Sequence, residues 1–339
     1  MFTLESQHLT PRLRRTLLSW LLAVAVPMAL SACDCADNPL APTGESAAEP
    51  TAAPSEAVAS GDALALTTGQ RIVFISTRNS NQPDLYKVDP QGNSSARLTT
   101  LSDYMTTPAW SYDNKHVVLN RVRVVGNVIR LDIYAIDANG SNGHWVRSTP
   151  FPYHMQQPSW SPNGSRIVLT VGIGGLSYLG WMDVATGQVS LFNAIAGGTV
   201  GFRPSYDATG QRILYIGKDG KTIEQMNADG SNHKLRFSST TQVCDPTFSP
   251  DGKKIAFCRD VGSNFEIFVK SLVDGTTKRL TTSVGKDMQP SWSPDGSRIA
   301  FASERSGKSQ IWTMSATTGG SLVRITHTST AESEPAWSH

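Results

Sequence analysis

The side chains able to do chemistry in this 339-residue sequence are thinly spread. Its seven histidines never form an H-E-x-x-H pattern, and no Cys/His pair has the spacing of a zinc site. Gly175-Leu176-Ser177-Tyr178-Leu179-Gly180 is one residue longer than the G-x-S-x-G nucleophile elbow and lacks its strand–turn–helix setting. Turns such as Asp137-Ala138-Asn139-Gly140 offer oxygen atoms, yet none carries the twelfth-position glutamate of a calcium-binding EF-hand loop. No catalytic residue, metal site or cofactor is therefore expected. Two of the four cysteines, Cys244 and Cys258, flank a short turn and fall on adjacent antiparallel strands. Two readings stay open for them: a cross-strand disulfide in an oxidising compartment, or a pair of buried thiols.

What remains is a set of polar residues just upstream of a recurring proline: Asp103, Tyr104, His154, Gln156, Gln157, Arg203, Asp245, Asp287, Gln289, Glu332 and Glu334. Acids, amides, one arginine, one histidine and one tyrosine suit hydrogen bonding to a peptide or a sugar. With a single histidine and no nucleophile motif, they are poorly equipped to break bonds. The competing reading is a solvated polar rim with no ligand.

These positions recur because the chain recurs. Pro-x-aromatic-Ser-Pro-Asp/Asn-Gly is clearest at Pro158–Gly164, Pro246–Gly252 and Pro290–Gly296. Worn copies start at Pro108 and Pro204, and a sixth, Pro335-Ala336-Trp337-Ser338, runs to the end of the sequence. The prolines are 50, 46, 42, 44 and 45 residues apart, a period of propellers and related arrays. Proline is expected to open a first strand, where its missing N–H costs no ladder bond. Ser-Pro-Asp-Gly has serine, proline and glycine at positions i, i+1 and i+3 of a type I turn. A β-rich run such as Ile255-Ala256-Phe257 follows, then a third strand such as Glu266-Ile267-Phe268-Val269, and a fourth ending in Arg279-Leu280-Thr281. Four short antiparallel strands make one blade.

The pattern resembles the WD40-like propeller repeats of the TolB C-terminal domain and its relatives, over roughly residues 70–338. The resemblance implies an all-β fold, a six-bladed β-propeller of four-stranded antiparallel blades. The first unit lacks its first strand and the last contains only that strand. Residues 335–338 should therefore pair with 71–77 and close the ring from both ends of the domain. TolB carries a further N-terminal α/β domain, for which this sequence has only a linker.

Strand alternation places the short stereotyped turns at one end of the propeller. The connections 78–83, 120–130, 172–180, 260–264 and 304–309 gather at the other, where they are expected as variable loops around the channel rim.

Before the repeats, Arg12, Arg14 and Arg15 precede an uncharged apolar run from Leu17 to Leu30, too short to span a bilayer but suited to a signal peptide. It ends in Leu30-Ser31-Ala32-Cys33, which resembles the bacterial lipobox and implies a lipidated Cys33. The expected organisation is a signal peptide over 1–32, a disordered lipid-anchored linker over 33–69, and the propeller over 70–339. Removing residues 1–32 leaves 27 Lys+Arg against 27 Asp+Glu. Such a balance disfavours general nucleic-acid binding.

The expected protein is a monomer in the bacterial cell envelope, held to the membrane by its lipid alone. It is expected to bind an envelope protein or glycan on the variable-loop face without catalysis. The alternative is a propeller enzyme, a polysaccharide lyase or hydrolase working at the channel mouth.

Overall fold

The computed structural model describes residues 69–339 apart from 80–81, 102, 126–127, 148–152 and 194–197. The signal peptide, Cys33 and the linker lie outside the described residues. Among the described residues, twenty-four strands form six four-stranded antiparallel sheets. Five sheets follow chain order; the sixth takes its inner strand from the C-terminal end of the ring. The six inner strands are Met105–Trp110, His154–Trp160, Gly201–Tyr206, Val243–Phe248, Asp287–Trp292 and Glu332–Trp337. Each inner strand packs against the next, and Glu332–Trp337 against Met105–Trp110, so the ring is closed. Among the described residues no helix is long and apolar enough to cross a membrane.

The repeated proline sits differently from the sequence expectation. Pro108 is the fourth residue of Met105–Trp110, not its first, and the other five prolines occupy equivalent interior places. Proline is tolerated there because the ladder slips at that point. Register shifts fall between Thr106 and Ala109, Gln156 and Ser159, Phe202 and Ser205, Cys244 and Thr247, and Met288 and Ser291. The closing pair slips between Val73 and Ile75. A bulge takes the residue–proline pair out of the ladder, so the absent N–H leaves no bond unmade. Two residues beyond each proline, Trp110, Trp160, Tyr206, Phe248, Trp292 and Trp337 are buried between blades.

At the opposite end of the inner strands the Ser-Pro-Asp-Gly turns form as expected. Ser249 Oγ donates to Asp251 Oδ1 (2.6 Å) and accepts from Lys254 N (2.9 Å), while Gly252 N donates to Ser249 O (2.8 Å). Gly252 has φ +65°, a left-handed conformation that glycine adopts at little cost. Ser161 and Ser293 repeat these bonds. In the worn copy at Pro204, Asp207 takes over from serine and accepts Arg212 N directly (3.0 Å).

Two expected loops are not loops. Residues 120–130 lie mostly in the strands His116–Val125 and Val128–Asp137, and 172–180 in Arg166–Ile173 and Leu176–Asp183. Arg121-Val122-Arg123-Val124 continues the alternation of its strand, with Val122 buried. Gly174 and Gly175 have φ +58° and +81°, which closes the second hairpin in two residues. The first hairpin pairs out to Val125 and Val128, four residues past the Met105–Arg121 pair. At the rise of a strand it projects about 13 Å beyond the blade.

The seam closes as the repeats require. Ile72 pairs with Trp337 and Ser76 with Glu332. Ser338 N donates to Arg71 O (2.8 Å), and Arg71 N to Ser338 Oγ (2.9 Å). Beyond the seam, the His339 ring stacks on Tyr112 with centroids 3.7 Å apart, and His339 exchanges two hydrogen bonds with Asn114. The copy that looked degenerate, Ser111-Tyr112-Asp113-Asn114, is shaped to receive this residue.

Candidate binding face

The residue before each interior proline has positive φ although none is glycine: Thr107 +50°, Gln157 +57°, Arg203 +54°, Asp245 +49°, Gln289 +59° and Glu334 +55°. This conformation costs an ordinary residue roughly 1–2 kcal/mol. Its repetition in all six blades makes it a property of the bulge. The six residues, their prolines, Ser205 and Thr247 line an open depression of about 160 Å³ in the central channel.

The ring residues stitch one blade to the next. Glu334 Oε2 accepts from Thr107 N (2.6 Å), Gln157 Oε1 from Arg203 N (2.9 Å), and Gln289 Oε1 from Glu334 N (2.8 Å). Asn120 Oδ1 accepts from Gln157 N (2.7 Å) and also bonds Thr107. Arg203 forms an ion pair with Asp245 of the following blade. The left-handed conformation turns these N–H groups out of their own ladder toward the neighbour's side chain. Glu334 is half-buried in the channel wall, and partial loss of water around its carboxyl pushes its pKa up to about 7, partly opposed by the Thr107 N–H and Arg203.

Of the eleven residues expected at the rim, Gln157, Arg203, Asp245, Gln289 and Glu334 stand on this ring. Thr107 completes the ring and was not among the expected rim residues, although its place before Pro108 is the same sequence signal that marks the other five. The remaining six lie elsewhere. Asp287 and Glu332 are fully buried, which corrects their placement at the rim. Asp287 pairs with Arg305 (2.8 Å) and Ser303; Glu332 with Arg78 (3.1 Å) and Ser76. The two guanidinium groups lie over Phe301 and Trp312, and over Phe74 and Tyr86. These are load-carrying clamps between first and second strands, because a carboxylate out of water needs an opposite charge and hydrogen bonds. His154 is half-buried; its Nδ1 accepts from Leu131 N (3.1 Å), and burial holds its pKa below the usual histidine range. Asp103 pairs with Arg121 (2.6 Å), while Tyr104 is 43% exposed. Gln156 pairs with Thr170 in the ladder of its blade.

Cys244 and Cys258 face each other across the ladder with Cα atoms 5.0 Å apart, and the structure joins them by a disulfide. The bridge lies one residue before Asp245, with Asp245 Oδ2 3.4 Å from Cys258 Sγ. Two sulfurs and a carboxylate so placed could form a metal site only as free thiols.

The ring sits between two unlike faces. One, the turn face, presents the stereotyped Ser-Pro-Asp-Gly hairpins and the seam. The other, the variable face, presents the projecting hairpins, Tyr104, Tyr153 and the second-to-third connections. Among the described residues no nucleophile, base and oxyanion site come together. Polar hydrogen bonding within a pre-formed rigid frame is what the arrangement offers.

Comparison with known proteins agrees on the fold. The family model for the TolB beta propeller domain matches residues 203–339. The Tol-Pal system protein TolB of Bordetella pertussis is 40% identical over 126 residues, covering 37% of this chain and 29% of that protein. The chain thus matches less than a third of the length of such a relative. Among solved structures, TolB from Acinetobacter baumannii superposes with a TM-score of 0.66 at 22% identity, covering 79% of this chain and 66% of that one. An oligogalacturonate lyase in complex with manganese gives 0.50 at 13% identity, over 76% of this chain and 74% of the lyase. At such identities the likeness is one of fold.

Proposed function

We propose that this TolB-like propeller is a non-catalytic recognition module of the bacterial cell envelope, monomeric and held at the membrane by a lipid on Cys33. It binds a protein or glycan partner on the variable face and the adjoining ring. One observation carries the reading: the irregular parts of the repeat collect on a single face, around a ring of strained polar residues, while the other face is uniform. The Bordetella pertussis relative is named for the Tol-Pal system, which accords with a binding role in the envelope.

The test uses the mature chain with Cys33→Ser as bait in envelope extract, with cross-linking. Tyr104→Ala combined with Tyr153→Ala, both about 40% exposed, should lose the captured partner with little change in melting temperature. Asp251→Ala on the turn face should cost about 1 kcal/mol of stability through its lost hydrogen bonds and keep the partner. Loss of the partner by the turn-face variant alone, or cleavage of an envelope polymer by purified protein, would overturn the reading. In cells, Cys33→Ser should shift the protein out of the membrane fraction or leave the precursor uncleaved; normal fractionation would remove the anchor from the proposal.

A further inference from the structure

The charge balance of the mature chain conceals two opposite segments. Residues 34–70 hold six carboxylates (Asp34, Asp37, Glu45, Glu49, Glu56, Asp62) and no lysine or arginine. Residues 71–339 hold 27 Lys+Arg against 21 Asp+Glu, an excess of six positive charges.

That excess is unevenly placed within the propeller. Toward the variable face lie 15 Lys+Arg and ten Asp+Glu; toward the turn face, 11 and nine; on the ring, Arg203 against Asp245 and Glu334. Five of the ten variable-face carboxylates, Asp84, Asp132, Glu266, Asp287 and Glu332, are at most 2% exposed beneath their arginines. The outward charge of this face is therefore positive, and a ligand approaching it meets a field that favours anions.

We propose that the variable face docks the acidic segment 34–68 of this same chain, so that any external partner must displace it and must itself be acidic. The proposal rests on the reading of that face as the binding face. Charge complementarity is one support, and reach is the other. The ring begins at Arg71 on the turn face, and an inner strand of six residues is about 20 Å long. Asp62 is nine residues before Arg71 and Glu56 fifteen, spans of up to about 30 and 50 Å when extended. Glu56 and the residues before it reach over the edge of the ring onto the variable face, and Asp62 reaches its rim. Joined to the propeller, the segment acts at an effective concentration near millimolar. An interaction of about 100 μM between separate molecules would then keep it docked roughly nine-tenths of the time.

The experiment compares the mature Cys33→Ser chain with a version whose six acidic residues in 34–62 are changed to Asn and Gln. The probe is a fluorescent peptide of residues 36–68, followed by anisotropy. The peptide should bind the neutralised version at least tenfold more tightly than the native one, because the native segment already occupies the face. Raising salt from 50 to 300 mM should weaken that binding tenfold or more. In the neutralised background, Lys218→Glu, Lys221→Glu and Lys308→Glu together should abolish binding, while Lys115→Glu, Lys234→Glu and Lys253→Glu on the turn face should change it less than twofold. Equal affinity for both versions, absence of binding, or equal loss from the turn-face changes overturns the proposal. So does binding of phosphatidylglycerol vesicles or dextran sulfate in the absence of peptide binding, which would assign the face to another class of anion. Failure here leaves partner capture through Tyr104 and Tyr153 untouched, so the two readings fall separately.

Discussion

Glu334 combines three demands that pull against each other. It adopts a left-handed backbone, accepts the Thr107 N–H across a blade boundary, and holds its carboxyl where burial raises the pKa to about 7. In the unfolded chain a glutamate ionises near 4.5, so the folded state keeps its proton over a range in which the unfolded state has lost it. The resulting stabilisation is complete below about pH 4.5 and disappears as pH rises through 7. Glu334→Gln keeps an acceptor for Thr107 and removes the titration. Melting temperatures measured from pH 5 to 8 should fall for the parent, by an equivalent of roughly 1–3 kcal/mol, and stay level in this respect for the variant. Parallel curves would show that the carboxyl is solvated as an ordinary side chain. At this scale the sequence is only half legible. Five ring residues could be named from their place before a proline, but Asp287 and Glu332 share the same composition and neighbourhood. What separates them is strand geometry: a residue at the start of the inner strand turns toward Arg305 or Arg78, whereas the bulged residue faces the channel.

Strands were more legible than side chains, since alternation and turn residues act locally. The six inner strands, the serine-centred turns and the seam could all be read from repetition. The bulge could not, because proline within a strand and proline opening one look alike in sequence; only the partner strand shows the slip. The hairpins formed by Arg166–Ile173 with Leu176–Asp183 and by His116–Val125 with Val128–Asp137 read as loops in sequence, because arginines and glycines interrupt an alternation that the backbone continues. The closing strand makes a direct claim about energetics. Deleting residues 335–339 removes Trp337, 3% exposed, and with it the inner half of the seam. Loss of the tryptophan alone should cost about 3–5 kcal/mol, a large share of a domain's total of about 5–15 kcal/mol. Denaturant titration should show an earlier midpoint. An unchanged transition would mean that the ring does not depend on this strand.

At the scale of the whole molecule, six similar blades yield two dissimilar faces, because strand alternation sorts turns from connections regardless of which blade they belong to. Sequence alone supplied that polarity together with the blade count. The charge difference between the propeller and the segment before it was masked by summing them. The seam adds a mechanical property. Residue 70 leaves the ring at the turn face, in line with the strand Ile72–Ser76, which is hydrogen-bonded on both sides, to Glu332–Trp337 and to Asp84–Val88. A pull on the chain through that residue, along the strand axis, runs parallel to the strand and across its hydrogen bonds. They are loaded together in shear instead of being peeled apart in turn, so the ring resists traction applied through residue 70 along this strand.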